Sequence, residues 1–285
     1  MHKECREFQI ADKTRQPNAS NDLPDPYFEF RQVSISFGSH LVLDRVSFSV
    51  RPGEAICILG KSGVGKSVSL RLIMGFLKPD SGRVITAGED ITDYSEPELE
   101  RIHRKVTMVF QNGALFDSLT VAENVAFPLR ERGGVPEQEI SRIVDEILES
   151  LGLYQLRDYL PGDISTGFKR AIAIARALAA QPKAVLYDEP TTMVDPLMVR
   201  RLISVIAKLN LQQRLTSIVV THDLKLVDSL ADHVVFLDNA RVIFYGTRAE
   251  MEHSKVPLVQ QFIRLDRFDF RALQEVIEPP RRLIG

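Results

Sequence analysis

Ala55-Ile56-Cys57-Ile58-Leu59, running into Gly60-Lys61-Ser62-Gly63-Val64-Gly65-Lys66-Ser67, decides how this chain is read. A short apolar run ends in the pattern G-x-x-x-x-G-K-[ST], a phosphate-binding loop between a strand and a helix. Glycines let the backbone fold tightly around an anion with several N–H groups aimed inward, and a helix beginning near Gly65 adds the positive end of its dipole. Lys66 is then placed to reach the β- and γ-phosphates, and Ser67 to ligate Mg²⁺. Gly60, Lys61, Ser62, Gly63, Val64, Gly65, Lys66, Ser67 and Val68 are the candidate nucleotide-binding residues. An ordinary glycine-rich turn is the competing explanation. The four fixed positions coincide by chance in only about one chain of this length in a hundred. The strand before and the helical run Ser69 to Phe76 after supply the context that the motif requires.

Working outward, the 285 residues, 44% hydrophobic and 26% charged, suffice for one large globular unit. No apolar stretch approaches the roughly 18 residues needed to cross a bilayer. The start Met1-His2-Lys3-Glu4-Cys5 leads into no signal-peptide core, so a membrane role is expected through a partner. A net charge of −2 gives no basic footprint, and no nucleic-acid partner is expected. Cys5 lies in a polar leader and Cys57 in the apolar strand, which argues against a disulfide framework and for a reducing compartment. The six histidines show no zinc spacing, so no structural zinc is expected.

Residues 1–26 lack periodicity and read as a loose leader. From Tyr27, alternating Val33, Ile35 and Phe37, then Leu41 to Leu43, then Val46, Phe48 and Val50, predict a small antiparallel sheet. After the phosphate loop come a helix to about Phe76, the turn Pro79-Asp80-Ser81-Gly82, short strands, a helix Glu96 to His103 and a strand Val106 to Phe110. Gly113 to Pro161 is mainly helical, with Ile140, Ile143, Val144, Ile147, Leu148 and Leu151 forming a core stripe. The α/β order then returns: helix Phe168 to Ala180, strand Ala184 to Tyr187, helix Pro196 to Leu209, strand Ser217 to Val220, helix Leu224 to Leu230, and strands Val234 to Leu237 and Val242 to Tyr245. This alternation predicts a largely parallel sheet covered on both faces.

A phosphate loop alone leaves kinases, GTPases, helicases and transport ATPases open, and Val185-Leu186-Tyr187-Asp188-Glu189 narrows the choice. An apolar strand ending in Asp188 puts a carboxylate beside the loop to hold Mg²⁺ through water, and Glu189 can polarise an attacking water. The second acid points to hydrolysis.

With these residues in hand the chain resembles the ATP-binding-cassette family from about Tyr27 to Gly246. Gln111, in Val109-Phe110-Gln111-Asn112, matches the family's Q-loop, which contacts Mg²⁺ and senses the transmembrane partner. Ile164-Ser165-Thr166-Gly167-Phe168 occupies the signature position, Asp195 the D-loop, His222 the switch histidine, and Phe37 the aromatic that stacks on adenine. The resemblance implies a P-loop NTPase, RecA-like α/β core with an antiparallel β subdomain and an inserted α-helical subdomain at about 112–164, within an ATP-binding domain 27–250 and before an extension 251–285. It implies ATP and Mg²⁺ as ligands, Glu189, His222 and Gln111 in catalysis, and Ser67, Gln111 and Asp188 at the metal. Two copies are implied, with Ser165, Thr166 and Gly167 of one closing over the γ-phosphate held by the other.

Phe110 to Val121, together with Glu123-Asn124-Val125-Ala126-Phe127-Pro128-Leu129-Arg130-Glu131, resembles the ATPase subunits of Mla/Mce-type phospholipid transporters. That likeness implies an integral-membrane permease, an Mce-type substrate-binding partner, lipid as cargo and a place on the cytoplasmic face of the inner membrane. The same apolar residues serve equally as helical-subdomain core. Thr166 and Phe168 depart from the family signature, which has Gly at the first position and Gln or Met at the second, and Val194 stands where Leu is usual. Three rivals stay open at this point: a cassette ATPase of a transporter for another cargo, a non-transport cassette protein, which usually carries tandem cassettes or long coiled coils, and a small-molecule P-loop kinase, which would need an acceptor pocket and lid. The segment 251–285, with Phe262, Ile263, Phe268, Phe270 and Leu273, docks on its own core or on a second subunit.

Overall fold

A computed structural model describes residues 25–266. Most of the leader, including Cys5, and the distal extension with Phe268, Phe270 and Leu273 lie outside the described residues. The chain opens with β1 (Phe28–Phe37) and β2 (His40–Val50), whose alternating buried and exposed residues form an antiparallel hairpin, Phe30 opposite Phe48 and Phe37 opposite His40. There follow β3 (Ala55–Gly60), α1 (Lys66–Ile73), β4 (Ser81–Thr86), β5 (Glu89–Asp90), α2 (Glu96–His103) and β6 (Val106–Val109). Next are α3 (Val121–Arg132), α4 (Glu137–Ser150), α5 (Thr166–Ala179), β7 (Ala184–Asp188), α6 (Pro196–Gln213) and β8 (Thr216–Val220). The described chain closes with α7 (Leu224–Leu230), β9 (His233–Asp238), β10 (Arg241–Thr247), α8 (Arg248–Glu252) and α9 (Pro257–Asp266).

Two sheets result. The antiparallel one has the order β2-β1-β4-β5; the larger has the order β10-β9-β3-β8-β7-β6 and is parallel except for β10. Strands β3, β7 and β8 are buried along their whole length, the pattern of strands covered on both faces. One apolar cluster packs α3 to α7 on one face around Tyr187 and Val219, and a second packs the antiparallel sheet, α1 and α2 on the other around Ile56 and Leu186. The expected stripe divides: Ile140, Val144, Leu148 and Leu151 are buried, while Ile143 and Ile147 are partly so.

Two helix ends differ from the sequence reading by three residues or more. The first helix stops at Ile73 rather than near Phe76, because Gly75 turns the chain with φ 72° and Phe76 is left half exposed. The helix after Asp195 runs to Gln213 rather than Leu209, since Leu209 is itself core and the turn comes only at Arg214 with φ 49°. Phe262 and Ile263 of α9 pack on the main core, Phe262 edge-on to Phe236, so this described part of the extension docks on its own subunit.

Candidate functional site

Strand register brings the site together. β3 pairs Ile58 with Val220 of β8, β8 pairs Val220 with Asp188 of β7, and β7 pairs Tyr187 with Val109 of β6. Gly60, His222, Glu189 and Gln111 therefore emerge side by side from the carboxyl ends of four adjacent parallel strands, the edge where open α/β sheets bind ligands. Gly60 has φ 147°, and a Cβ there would collide with the carbonyl oxygen of Leu237. Gly65 has φ 105° at the helix N-cap, and a Cβ would meet Leu43 at 2.8 Å and the Val42 carbonyl at 3.0 Å. At these two positions the loop admits only glycine.

The Lys66 ammonium is buried and donates to the carbonyls of Gly60, at 2.9 Å, and Lys61, at 3.1 Å, with Glu189 Oε1 at 3.5 Å. The lysine thus spans the mouth of the loop that it closes. Ser67 Oγ donates to Asp188 Oδ1 at 2.8 Å. Burial pushes the Asp188 carboxyl above the usual carboxylate range; the Ser67 hydrogen bond opposes this, Glu189 adds to it, and Arg71 and Lys66 oppose it. Val68 packs its side chain on the core, leaving only its backbone to the loop.

Glu189 is the most constrained side chain of the group. It sits at φ 47°, its N–H bonds to the Val220 carbonyl at 2.9 Å, and its Oε2 meets both His222 Nδ1, at 2.8 Å, and the Thr192 hydroxyl, at 3.1 Å. His222 is otherwise largely exposed. Thr192 was not singled out in the sequence; its only signal is its place three residues after an acid at a strand end. An open cleft of about 680 Å³ begins here, lined by Val194, Val199 and Ile203 together with His222 and Lys225.

The remaining candidates stand apart from the loop. Phe37 is half exposed at the tip of the β1–β2 hairpin, whose His40, Leu41 and Val42 share a cleft of about 440 Å³ with Lys61 to Val64. Gln111 is exposed. Ser165 is the N-cap of α5 without using its hydroxyl as a cap, Thr166 is exposed as the first helical residue, and Gly167 is buried so tightly against Met198 and Val194 that a Cβ would clash. Asp195 caps α6, its Oδ1 accepting from Met198 N at 2.9 Å. Among the described residues no hydrogen bond joins 165–167 to the phosphate loop. Arg170 and Asn124, both buried, have no role in the sequence reading, although each stands on the buried face of its helix, Asn124 with Val121, Val125 and Leu129 and Arg170 with Gly167, Ala171 and Ile174.

Residues 43–192 match the profile of the ABC transporter family. The chain belongs to that family. This ABC ATPase is 37% identical over 236 residues to the intermembrane phospholipid transport system ATP-binding protein MlaF of Haemophilus influenzae, covering 83% of this chain and 89% of that protein. It is 35% identical over 235 residues to MlaF of Escherichia coli K12, with 82% and 87% covered. It is also 41% identical to the methionine import ATP-binding protein MetN of Carboxydothermus hydrogenoformans, over 204 residues that make up 72% of this chain and 60% of that one. Among solved structures, the ABC ATPase superposes on a dimeric post-hydrolysis ATP-binding cassette bound to ADP and Pi, with TM-score 0.71, 30% identity, and 77% and 98% covered. It superposes on cbiO1 of Clostridium perfringens, part of the ABC transporter complex cbiONQ, with TM-score 0.74, 30% identity, and 88% and 100% covered. The ABC ATPase thus shares with these cassettes a P-loop α/β core, an antiparallel sheet and a helical region, and it is an ATP-hydrolysing subunit of a transporter. The kinase and non-transport readings fall away. Among the described residues no helix is long and apolar enough to cross a membrane.

Proposed function

We propose that this ATPase hydrolyses ATP with Mg²⁺ at two composite sites formed by two copies and drives a lipid transporter of the bacterial envelope from the cytoplasmic face of the inner membrane. One observation carries the catalytic part: Lys66, Ser67, Asp188, Glu189 and His222 converge on one strand edge, with Glu189 held on Oε2 by His222 and Thr192. Lys66 and the Gly60 to Val68 backbone hold the phosphates. Ser67 and Asp188 form an all-oxygen pair that suits Mg²⁺. Gln111, at the next strand end, completes that set. Bound Mg²⁺ would neutralise phosphate charge. Glu189 orients and polarises water, and His222 fixes its carboxylate. Phe37 stacks on adenine. Ser165, Thr166, Gly167 and Asp195 face the nucleotide of the other copy, in keeping with a signature helix whose N-terminus is open to solvent and with the cassette that was solved as a dimer with ADP and Pi.

Cargo and partners rest on the phospholipid-transport relatives named above. The partners are a permease and an Mce-type lipid-binding protein. The permease docks beside Gln111, where the Phe116 ring lies tilted against Phe127, centroids 4.6 Å apart, and remains substantially exposed. We divide the chain into a leader 1–26, a cassette 27–250 with its helical part at about 112–164, and an extension 251–285.

Glu189→Gln tests the composite site. It keeps the phosphate loop and the metal pair while removing the group that polarises water, so an ATP-loaded dimer accumulates on gel filtration and phosphate release stops. A monomer at every ATP concentration overturns the two-copy site. Lys66→Ala serves as the contrast, losing most ATP binding because the loop's closing cation is gone.

A further inference from the structure

Residues 110–120, between the end of β6 and the start of α3, contain no helix or strand, yet their backbone is tied from within. Such a segment would ordinarily be a mobile surface loop. Asn124 of α3 is 0% exposed, and its whole side chain serves this loop. Its Oδ1 accepts from Phe116 N at 2.8 Å, and its two amide hydrogens are shared among the carbonyls of Phe116, Leu119 and Thr120, each at 3.0 Å. An asparagine with no exposure and every polar atom spent on one loop is a fastening, because burying an amide is unfavourable unless all its hydrogen bonds are made.

Two arginines of α5 tie the other end. Arg176 donates from NH1 to the Ala114 carbonyl at 2.8 Å and from NH2 to the Gly113 carbonyl at 3.0 Å, and its guanidinium lies 5.8 Å from the Phe116 ring centroid. Arg170, 5% exposed, donates from NH1 to the Phe110 carbonyl at 3.2 Å, immediately before Gln111. Ala114 has φ 45°, a conformation that a residue with a Cβ keeps only when its surroundings force it, and Arg176 grips that residue's carbonyl. The helix that carries both arginines begins at Thr166, in the signature segment.

We propose that Asn124 and Arg176 are positioning residues that hold 110–120 as one body with α3 and α5, so that the surface around Leu115 and Phe116 keeps the shape onto which the permease docks and passes its displacement to the Ser165 end of α5. This inference rests on the permease-docking reading given above. Neither residue touches nucleotide. Loss of either fastening frees the loop without touching the phosphate site, so coupling suffers while ATP binding does not.

The test is hydrogen exchange on the full-length chain, together with ATPase measurements on the membrane complex that co-purifies with it. Asn124→Asp keeps the size and the acceptor but removes the donors; Arg176→Gln removes the two-pronged grip, and Arg176→Lys retains the charge alone. The expected result is exchange at least tenfold faster in peptides covering 113–119 for Asn124→Asp and Arg176→Gln. Exchange in β7 and β8 and ATP affinity stay at wild-type level, permease-dependent ATPase falls severalfold, and Arg176→Lys is intermediate. Unchanged exchange over 113–119 overturns the proposal, as does faster exchange with full permease-dependent ATPase. Phe116→Asp separates the two layers. If it leaves the membrane complex while the Asn124 and Arg176 variants couple normally, the fastening role fails and the docking reading stands; if it stays attached as well, both fail. Should Asn124→Asp also loosen β7 and β8, the half-buried Arg176 variants decide.

Discussion

At the scale of single residues, Glu189 and Thr166 set the expected rate in opposite ways. Glu189 is held at a positive φ and fixed by His222 and Thr192 on one oxygen, leaving Oε1 toward Lys66. A backbone held there costs on the order of 1–3 kcal/mol, a strain found where geometry at a reacting centre must be fixed. Thr166 stands at the exposed start of α5, where the family offers a bare backbone. Its hydroxyl could contribute ~1.5–3 kcal/mol to a charged phosphate oxygen. On the proposed two-copy reading, however, its bulk is expected to hold off Ser165 and the Gly167 N–H together, a loss of more than one donor at once. Thr166→Gly is therefore expected to raise the maximal ATPase rate severalfold with unchanged ATP affinity, measured by phosphate release across an ATP titration. A fall in rate would mean that the hydroxyl is a working ligand.

At the scale of elements, the docking surface makes the sharper prediction. Leu115→Glu or Phe127→Asp should release the ATPase from membranes in a sedimentation assay while its melting temperature stays within a few degrees of wild type; unfolding instead would assign these residues to the core. Leu115 and Phe127 are partly buried, Leu115 against the main core, beside the substantially exposed Phe116, whereas Val121, Val125 and Leu129 on the next helix are buried. The elements also show what a sequence conveys. The loop from Gly60 to Ser67 was legible because positive-φ positions and a lysine at a fixed spacing have no substitute, and Asp188 and Glu189 because an apolar strand ended in charge. Helix ends were less legible: Gly75 stops α1 before Phe76, while α6 runs past Leu209 because burial of that leucine, invisible in the sequence, extends the packed face. Asn124, Arg170 and Thr192 were illegible for a related reason. Their partners are backbone atoms and a carboxylate brought close only by folding, and such pairings leave no period or spacing.

For the whole molecule, the strand edge, the helical region and the antiparallel sheet belong to a cassette that works with membrane subunits, and no residue of this chain is expected to touch cargo. Cargo must be read from the complex. Affinity purification of the tagged chain from membranes, followed by protein and lipid mass spectrometry, should recover a permease, an Mce-type protein and enriched phospholipid. Recovery of a methionine-binding or other solute-import system instead would redirect the cargo assignment while leaving the ATPase intact.

The seat of Gly167 on Met198 has a kinetic consequence. In the two-copy arrangement proposed above, the Ser165–Gly167 end of one subunit would serve the partner's nucleotide, while the segment that leads to Met198 follows from Glu189, which would serve its own. On that proposed arrangement one close contact within a single subunit would lie between two different nucleotides, and a shift of either side is expected to be felt by the other. The two turnovers are then expected to be coupled: velocity should rise with ATP more steeply than a hyperbola, with a Hill coefficient above 1. Trimming Met198 to alanine should flatten that curve toward simple saturation before it slows the maximal rate.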